Sequence, residues 1–236
     1  RAGLPAWGGL LSAALAGLGA GLLFALFAVV RPADPILVGT VWNLLALGAT
    51  AFVYRLGAGE TGSVLEVATL PRGLFGLPDA VAAGFLSPVL LHLWLTRTRA
   101  GLRLAAAGEK PEALRSLGLS VVAIRSGAAA ASGVLGAMGG AVLVLTVSPT
   151  FVEGVTAGRG FLALALVVFA RWRPLALIPA ALLLGGVTAL QYRLQAEGFG
   201  LPYALFLALP GLTALAALTL ASARGGTPKA LGSPAP

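Results

Sequence analysis

From Trp7 to Val30 the chain contains no charged residue. A helix needs about 20 apolar residues to cross the roughly 30 Å of hydrocarbon in a bilayer. This run is long enough, and a soluble core of ordinary size could not bury it together with its successors. Those successors are Ile36–Tyr54, Pro78–Thr96, Val121–Val147, Gly160–Ala170, Leu175–Leu190 and Leu201–Ala221. Hydrophobic residues are 58% of the chain and charged residues 10%. A soluble domain covers its surface with about 25% charged residues, so lipid must be the solvent here. The expected fold is all-α: a polytopic membrane protein of roughly seven spans in one transmembrane domain over residues 1–236.

One of these runs is too short. Eleven residues of helix, as in Gly160–Ala170, rise only about 16 Å. The segment must begin earlier, near Gly154, or be a broken helix buried among its neighbours. Non-helical backbone at that depth is tolerated only inside protein or beside a water-filled path. The first residue is Arg1 rather than Met, and no cleavage site follows the first run, so we read Arg1 as an internal start.

Orientation follows from the basic residues, which concentrate on the cytoplasmic side of membrane proteins. The long polar stretch Arg97–Leu119 carries Arg97, Arg99, Arg103, Lys110 and Arg115 against Glu109 and Glu112. Placing it inside also places Arg31, Arg171, Arg173, Arg224 and Lys229 inside, giving 10 basic residues. The outside then holds Arg1, Arg55, Arg72, Arg159 and Arg193, which is 5. Arg125 lies near the inner end of its span and can snorkel inward. The start is therefore expected outside and the C-terminus in the cytoplasm. A pI near 11.3 reflects these arginines at a membrane face, and no nucleic-acid partner is expected.

Within the polar stretch, Lys110–Gly118 reads as a short helix. Pro111 has the fixed φ that suits the first helical position, and Gly118 suits a left-handed stop. Read from spacing alone, it is a solvated loop helix. In Val121–Val147, Ser132, Gly136 and Gly140 recur every fourth residue, as do Gly133, Ala137 and Ala141. Small residues at this spacing let helices approach closely in lipid, so this span is expected at the centre of a bundle.

Material for chemistry is scarce. There is no cysteine and only one histidine, His92, so no thiolate or typical zinc site is expected. An embedded enzyme needs a converging nucleophile and base, or metal ligands, and no catalytic residue or metal site is assigned. Ion-coupled carriers use acids near the membrane midplane, and these spans carry none there. Gly158 and Gly160 make no phosphate-binding loop, because no strand precedes them and no Lys follows. Energy for transport must then come from a partner, and Arg97–Leu119 is the one inside loop large enough to receive it.

Four ordered blocks of sequence resemble the permease subunits of ABC importers of the branched-chain amino acid, simple sugar and nucleoside class. The first contains Gly101, Leu102, Arg103, Gly108, Glu109, Pro111, Ala113, Gly118 and Arg125. The second, Phe151–Gly186, has a Phe-x-Glu-Gly, a Gly-Arg-Gly-Phe and an aromatic-basic-Pro corner similar to the nucleoside branch. The third is Ile36–Gly48 and the fourth is the TPKALGSP tail. Ala170 and Ala105 depart from the pattern, where the family usually has Gly and Arg.

The resemblance implies an importer permease without enzymatic activity, closest to nucleoside transporters, in the bacterial cytoplasmic membrane. A simple-sugar (ribose-type) permease is the alternative, with an ion-coupled secondary transporter as a more remote one. It implies that residues 97–119 form a cytoplasmic coupling loop, with Gly108, Glu109, Pro111, Glu112, Ala113, Leu114, Leu117 and Gly118 engaging an ATPase. Ala113, Leu114 and Leu117 are expected to face that partner. ATP and Mg would bind the ATPase, with no cofactor on this chain. A second homologous permease subunit and a solute-binding lipoprotein complete the expected assembly. The candidates for the solute path are Asn43, Glu153, Gly158, Arg159 and Phe161. For Asn43 a helix–helix hydrogen bond is the competing role, and for Glu153 and Arg159 a mutual ion pair.

Overall fold

The computed structural model describes residues 6–31, 33–58, 79–147, 154–197 and 203–222, and these are helical almost throughout. Each expected apolar run is a helix. They are α1 (Ala6–Ala25, continued by a π-helical turn, Leu26–Val30), α2 (Pro35–Ala58), α3 (Asp79–Arg97) and α6 (Val121–Val147). Next come α7 (Arg159–Phe169), α8 (Leu177–Glu197, led by a 3-10 turn, Pro174–Ala176) and α9 (Tyr203–Ser222). Between α3 and α6 lie two short helices, α4 (Arg99–Glu109) and α5 (Pro111–Ser116). Among the described residues five stretches are long and apolar enough to span: Trp7–Val30, Pro35–Leu56, Asp79–Arg97, Val121–Thr146 and Pro174–Glu197. Arg159–Phe169 and Phe206–Thr219 are apolar but shorter.

Local chemistry sets the boundaries. The Arg31 N–H donates to the Leu26 carbonyl at 2.9 Å, which closes the π-helical turn. Asp34 then caps α2: its Oδ1 accepts from the Ile36 N–H at 2.8 Å, with Pro35 at the first helical position. A carboxylate there satisfies an otherwise unpaired amide and meets the positive end of the helix dipole. Ser120 Oγ accepts from the Ala123 N–H at 3.2 Å and starts α6 in the same way.

The chain forms two compact units. The first contains α1, α2, α4, α5, α6 and the first turn of α3. Its centre is the α1–α6 pair. A Cβ on Gly17 would strike the Gly133 carbonyl and come within 2.6 Å of the Ala137 Cβ. A Cβ on Gly21 would lie 2.8 Å from the Ala130 Cα. Backbone meets backbone here, which lets dispersion and Cα–H contacts act where lipid gives no hydrophobic drive. The pair continues through buried Leu10 and Leu145, with Ala80, Ala141 and Val142 against them.

Of the two small-residue registers expected on α6, the one with Gly133, Ala137 and Ala141 is used against α1. The other is open within the described residues. Ser132 and Gly136 are exposed, and nothing lies within 4 Å of a Cβ built on Gly136 or Gly140. No described side chain of α2 or α3 is buried.

The second unit contains α7, α8, α9 and the remainder of α3. Here α9 packs against both α7 and α8. Buried Ala180 and Phe206 lie on α8 and α9. Pro88 and Pro210 sit inside α3 and α9. Each removes a backbone hydrogen bond, a defect that neighbouring helices and water can make good in membrane proteins.

Candidate functional site

The stretch that follows α3 folds into a rigid mount for α5. Pro111 opens the helix, as its fixed φ predicts, and Glu112 lies in the first turn and Arg115 in the last, each favourable to the dipole. At the other end Gly118 takes φ 73°. The Gly118 N–H donates to the Arg115 carbonyl and the Leu119 N–H to the Leu114 carbonyl, both at 2.9 Å. That pair of bonds is a Schellman stop, in which glycine avoids the clash a Cβ would make. Three apolar residues close the mount from inside: Ala107 of α4, Leu114 of α5 and Val121 of α6, exposed to only 1%, 3% and 4%. Leu119 packs against them, supplying the apolar contact that accompanies such stops. Arg125 adds a polar tie. Its guanidinium donates to the Ala107 carbonyl at 3.2 Å, at the negative end of α4.

This geometry corrects one expectation. Leu114 does not share an outward face with Ala113 and Leu117; it is the anchor. Ala113 is exposed and Leu117 is 73% exposed. Four residues apart, they lie on one side of the helix, with Glu109 and Glu112 also exposed and Pro111 and Gly108 partly so. The sequence reading also missed the mount itself. Its signal was a spacing of seven, with Ala107, Leu114 and Val121 continuing one buried line across three helices. The reading placed Arg125 near the inner end of its span but did not foresee its helix-capping bond.

The other candidates fall on α2 and around α7. Asn43 is exposed on α2. Glu153 lies outside the described residues. The segment does not begin at Gly154. Gly154, Ala157 and Gly158 all have positive φ (72°, 41° and 76°), which forbids helix there, and α7 starts at Arg159. Arg159 and Phe161 are exposed on its first turn. The expected burial among neighbouring helices is met only towards the end of the segment, where residues 165–169 are half-buried. Ala170, just past the helix, is 4% exposed, whereas among the described residues none of α7 itself is buried; α8 and α9 pack against it, and Phe161 is 71% exposed.

The C-terminal end of α7 repeats the stop of α5 with costlier residues. The Arg171 N–H donates to the Val168 carbonyl at 2.9 Å and the Trp172 N–H to the Val167 carbonyl at 3.1 Å. Arg171 and Trp172 hold φ 54° and 59°, a region in which L side chains are strained by about 1–2 kcal/mol each. The aromatic-basic corner is thus a forced reversal that leads through the 3-10 turn into α8. Among the described residues no group of three His, Cys, Asp or Glu could hold a metal.

The family of branched-chain amino acid transport system permease components matches residues 1–218. The chain belongs to this family. It is a multi-pass ABC-transporter permease. It is 32% identical to the guanosine ABC transporter permease protein NupQ of Bacillus subtilis, over 97% of this chain and 77% of that protein. It is 34% identical to the nucleoside ABC transporter permease protein NupC of Lactococcus lactis, over 78% and 62% of the two chains. It is also 32% identical to the "putative glucose ABC transporter permease protein TsgC13" of Haloferax volcanii, over 78% and 60%. The permease therefore spans about three fifths to three quarters of these relatives. No solved structure matches it.

Proposed function

We propose that this permease is the membrane subunit of an ATP-driven nucleoside importer, and that α5 receives the motion of a separate ATPase. The observation that carries the coupling role is the mount. A six-residue helix has too few hydrogen bonds to hold itself, yet α5 is fixed at its start, its stop and its buried side. Its exposed apolar residues, Ala113 and Leu117, are left for a partner. ATP and Mg bind the ATPase, whose closure pushes on α5. The push passes through Leu114 and Arg125 into α4 and α6, and so into the α1–α6 pair. Two permease subunits rock in response and open the path inward. A solute-binding lipoprotein delivers solute from outside, to the side of Asn43, Glu153, Gly158, Arg159 and Phe161. The C-terminus and residues 97–119 lie in the cytoplasm. Similarity to the guanosine and nucleoside permeases supports the solute class. The Haloferax relative supports a sugar as the second reading.

The test is uptake by the complete transporter in proteoliposomes, with labelled guanosine, uridine, ribose and glucose offered separately. ATP-dependent uptake of nucleosides and not of free sugars is expected. Uptake of sugars alone would overturn the nucleoside reading and leave the coupling role standing. Leu117→Glu places an unpaired charge in the ATPase contact, which costs several kcal/mol, or about a hundredfold or more in affinity. It is expected to abolish both uptake and co-purification of the ATPase while membrane insertion is unchanged. Full uptake in this variant would reduce α5 to a solvated connector.

A further inference from the structure

We propose that Gln191 and Gln195 of α8 form a carboxamide pair that reads the hydrogen-bonding edge of the nucleobase as solute enters the permease. This rests on the nucleoside reading above and adds to it the residues that select the base.

Amide side chains are scarce in this protein: Asn43, Gln191 and Gln195 are the only three. Two of them stand four residues apart on one helix, which puts them on the same face about 6 Å apart along the axis. That face is turned inward. Gln191 is 5% exposed, and among the described residues it is the one buried polar side chain. The Gln195 Nε2 is buried and has no hydrogen-bond partner there. A buried amide donor left unmade costs about 1–3 kcal/mol, so such a group marks a place where something else completes the bond. By contrast Tyr192, between them in sequence, is 56% exposed.

The chemistry suits a nucleobase. The spans carry no acidic side chain at mid-depth, so a neutral polar solute must be recognised by neutral groups. Each carboxamide offers two donors and one acceptor oxygen. Paired donors and acceptors of this kind read purine edges through two hydrogen bonds at once. A neutral site also releases its solute readily, which a transport path requires. The basic residues place this end of α8 on the outer side, where solute arrives. A helix-to-helix bond with the second permease subunit is the competing use of buried glutamines in lipid.

The experiment compares the complete wild-type transporter with its Gln191→Leu, Gln195→Leu and Gln195→Glu variants in proteoliposomes. Readouts are KM and maximal uptake for guanosine, 7-deazaguanosine and uridine, together with co-purification of all subunits and basal ATP hydrolysis. The expected result is an increase in guanosine KM of about tenfold or more in the leucine variants. Assembly and basal hydrolysis are retained, and the wild-type preference for guanosine over its 7-deaza analogue is lost. Unchanged KM and preference would overturn the proposal. Loss of subunit co-purification with normal KM in the assembled fraction would also overturn it and make the pair a subunit contact. If wild-type transporter takes up no nucleoside, the functional reading fails instead, and a change in ribose uptake in the variants would then show a path site without base recognition.

Discussion

Leu114 lies in a helix of six and Leu117, three residues on, caps its end; the two face opposite surroundings. Truncating the buried one, Leu114→Ala, removes methyl groups from the Ala107–Val121 contact and is expected to cost about 2–5 kcal/mol of local stability. The measurement is proteolysis of the loop between residues 97 and 119 in detergent, which is expected to accelerate. Leu117→Ala is expected to leave that rate unchanged and to weaken ATPase binding. If the two substitutions behave alike, the helix is not held from one side. Gly118→Val is expected to loosen the same loop by about 1–2 kcal/mol, because a branched side chain is strained at positive φ. Gly118 was legible in the sequence because only a few residue types tolerate that backbone. The direction of Leu114 was not. Three apolar residues in two turns of helix show where the faces lie, but which face is covered depends on Ala107 and Val121 from other helices.

At the scale of elements, α1 and α6 are joined through glycine. Gly133→Leu puts a side chain where the Gly17 carbonyl and the Gly21 Cα already lie, the latter 2.9 Å from the new Cβ. It is expected to separate the pair and lower the midpoint of thermal aggregation in detergent by many degrees. Gly136→Leu, one turn away with nothing near it, is expected to leave the isolated chain as stable as wild type. Equal effects would mean that both registers are filled. The small-residue spacing announced close packing, and the two registers are indistinguishable by spacing alone. Only the partner's own Gly17 and Gly21 decide between them. For α7 the sequence disclosed the length deficit, while its true start depends on three positive-φ residues, Gly154, Ala157 and Gly158, that no periodicity reveals. Cysteines at Gly158, Phe161 and Ala165 are expected to react with a small aqueous thiol reagent at rates that change with the ATPase cycle. Reaction only with lipid-soluble reagents would place α7 against lipid and away from the solute.

The whole molecule was the most legible level, because a bilayer demands long uncharged runs and these cannot be mistaken for anything soluble. Every run expected from composition is a helix. Orientation depends on the 10-to-5 division of basic residues. A reporter fused after Ala106 is expected to behave as cytoplasmic and one inserted between Gly57 and Gly62 as external. Swapped labels would overturn the coupling role and the outer placement of the glutamine pair together.

The mount of α5 is built from a short stretch of sequence: Ala107, Leu114, Gly118, Val121 and Arg125 all come from residues 99–125. Contacts between near neighbours in sequence close small loops, which is fast and entropically inexpensive. Such a piece carries its own instructions for shape. It is, in effect, a plug that can be unscrewed from one transporter and fitted to another. Grafting residues 99–125 into a related permease is expected to transfer preference for the donor's ATPase while the recipient keeps its own solute, so that engine and cargo evolve on separate schedules.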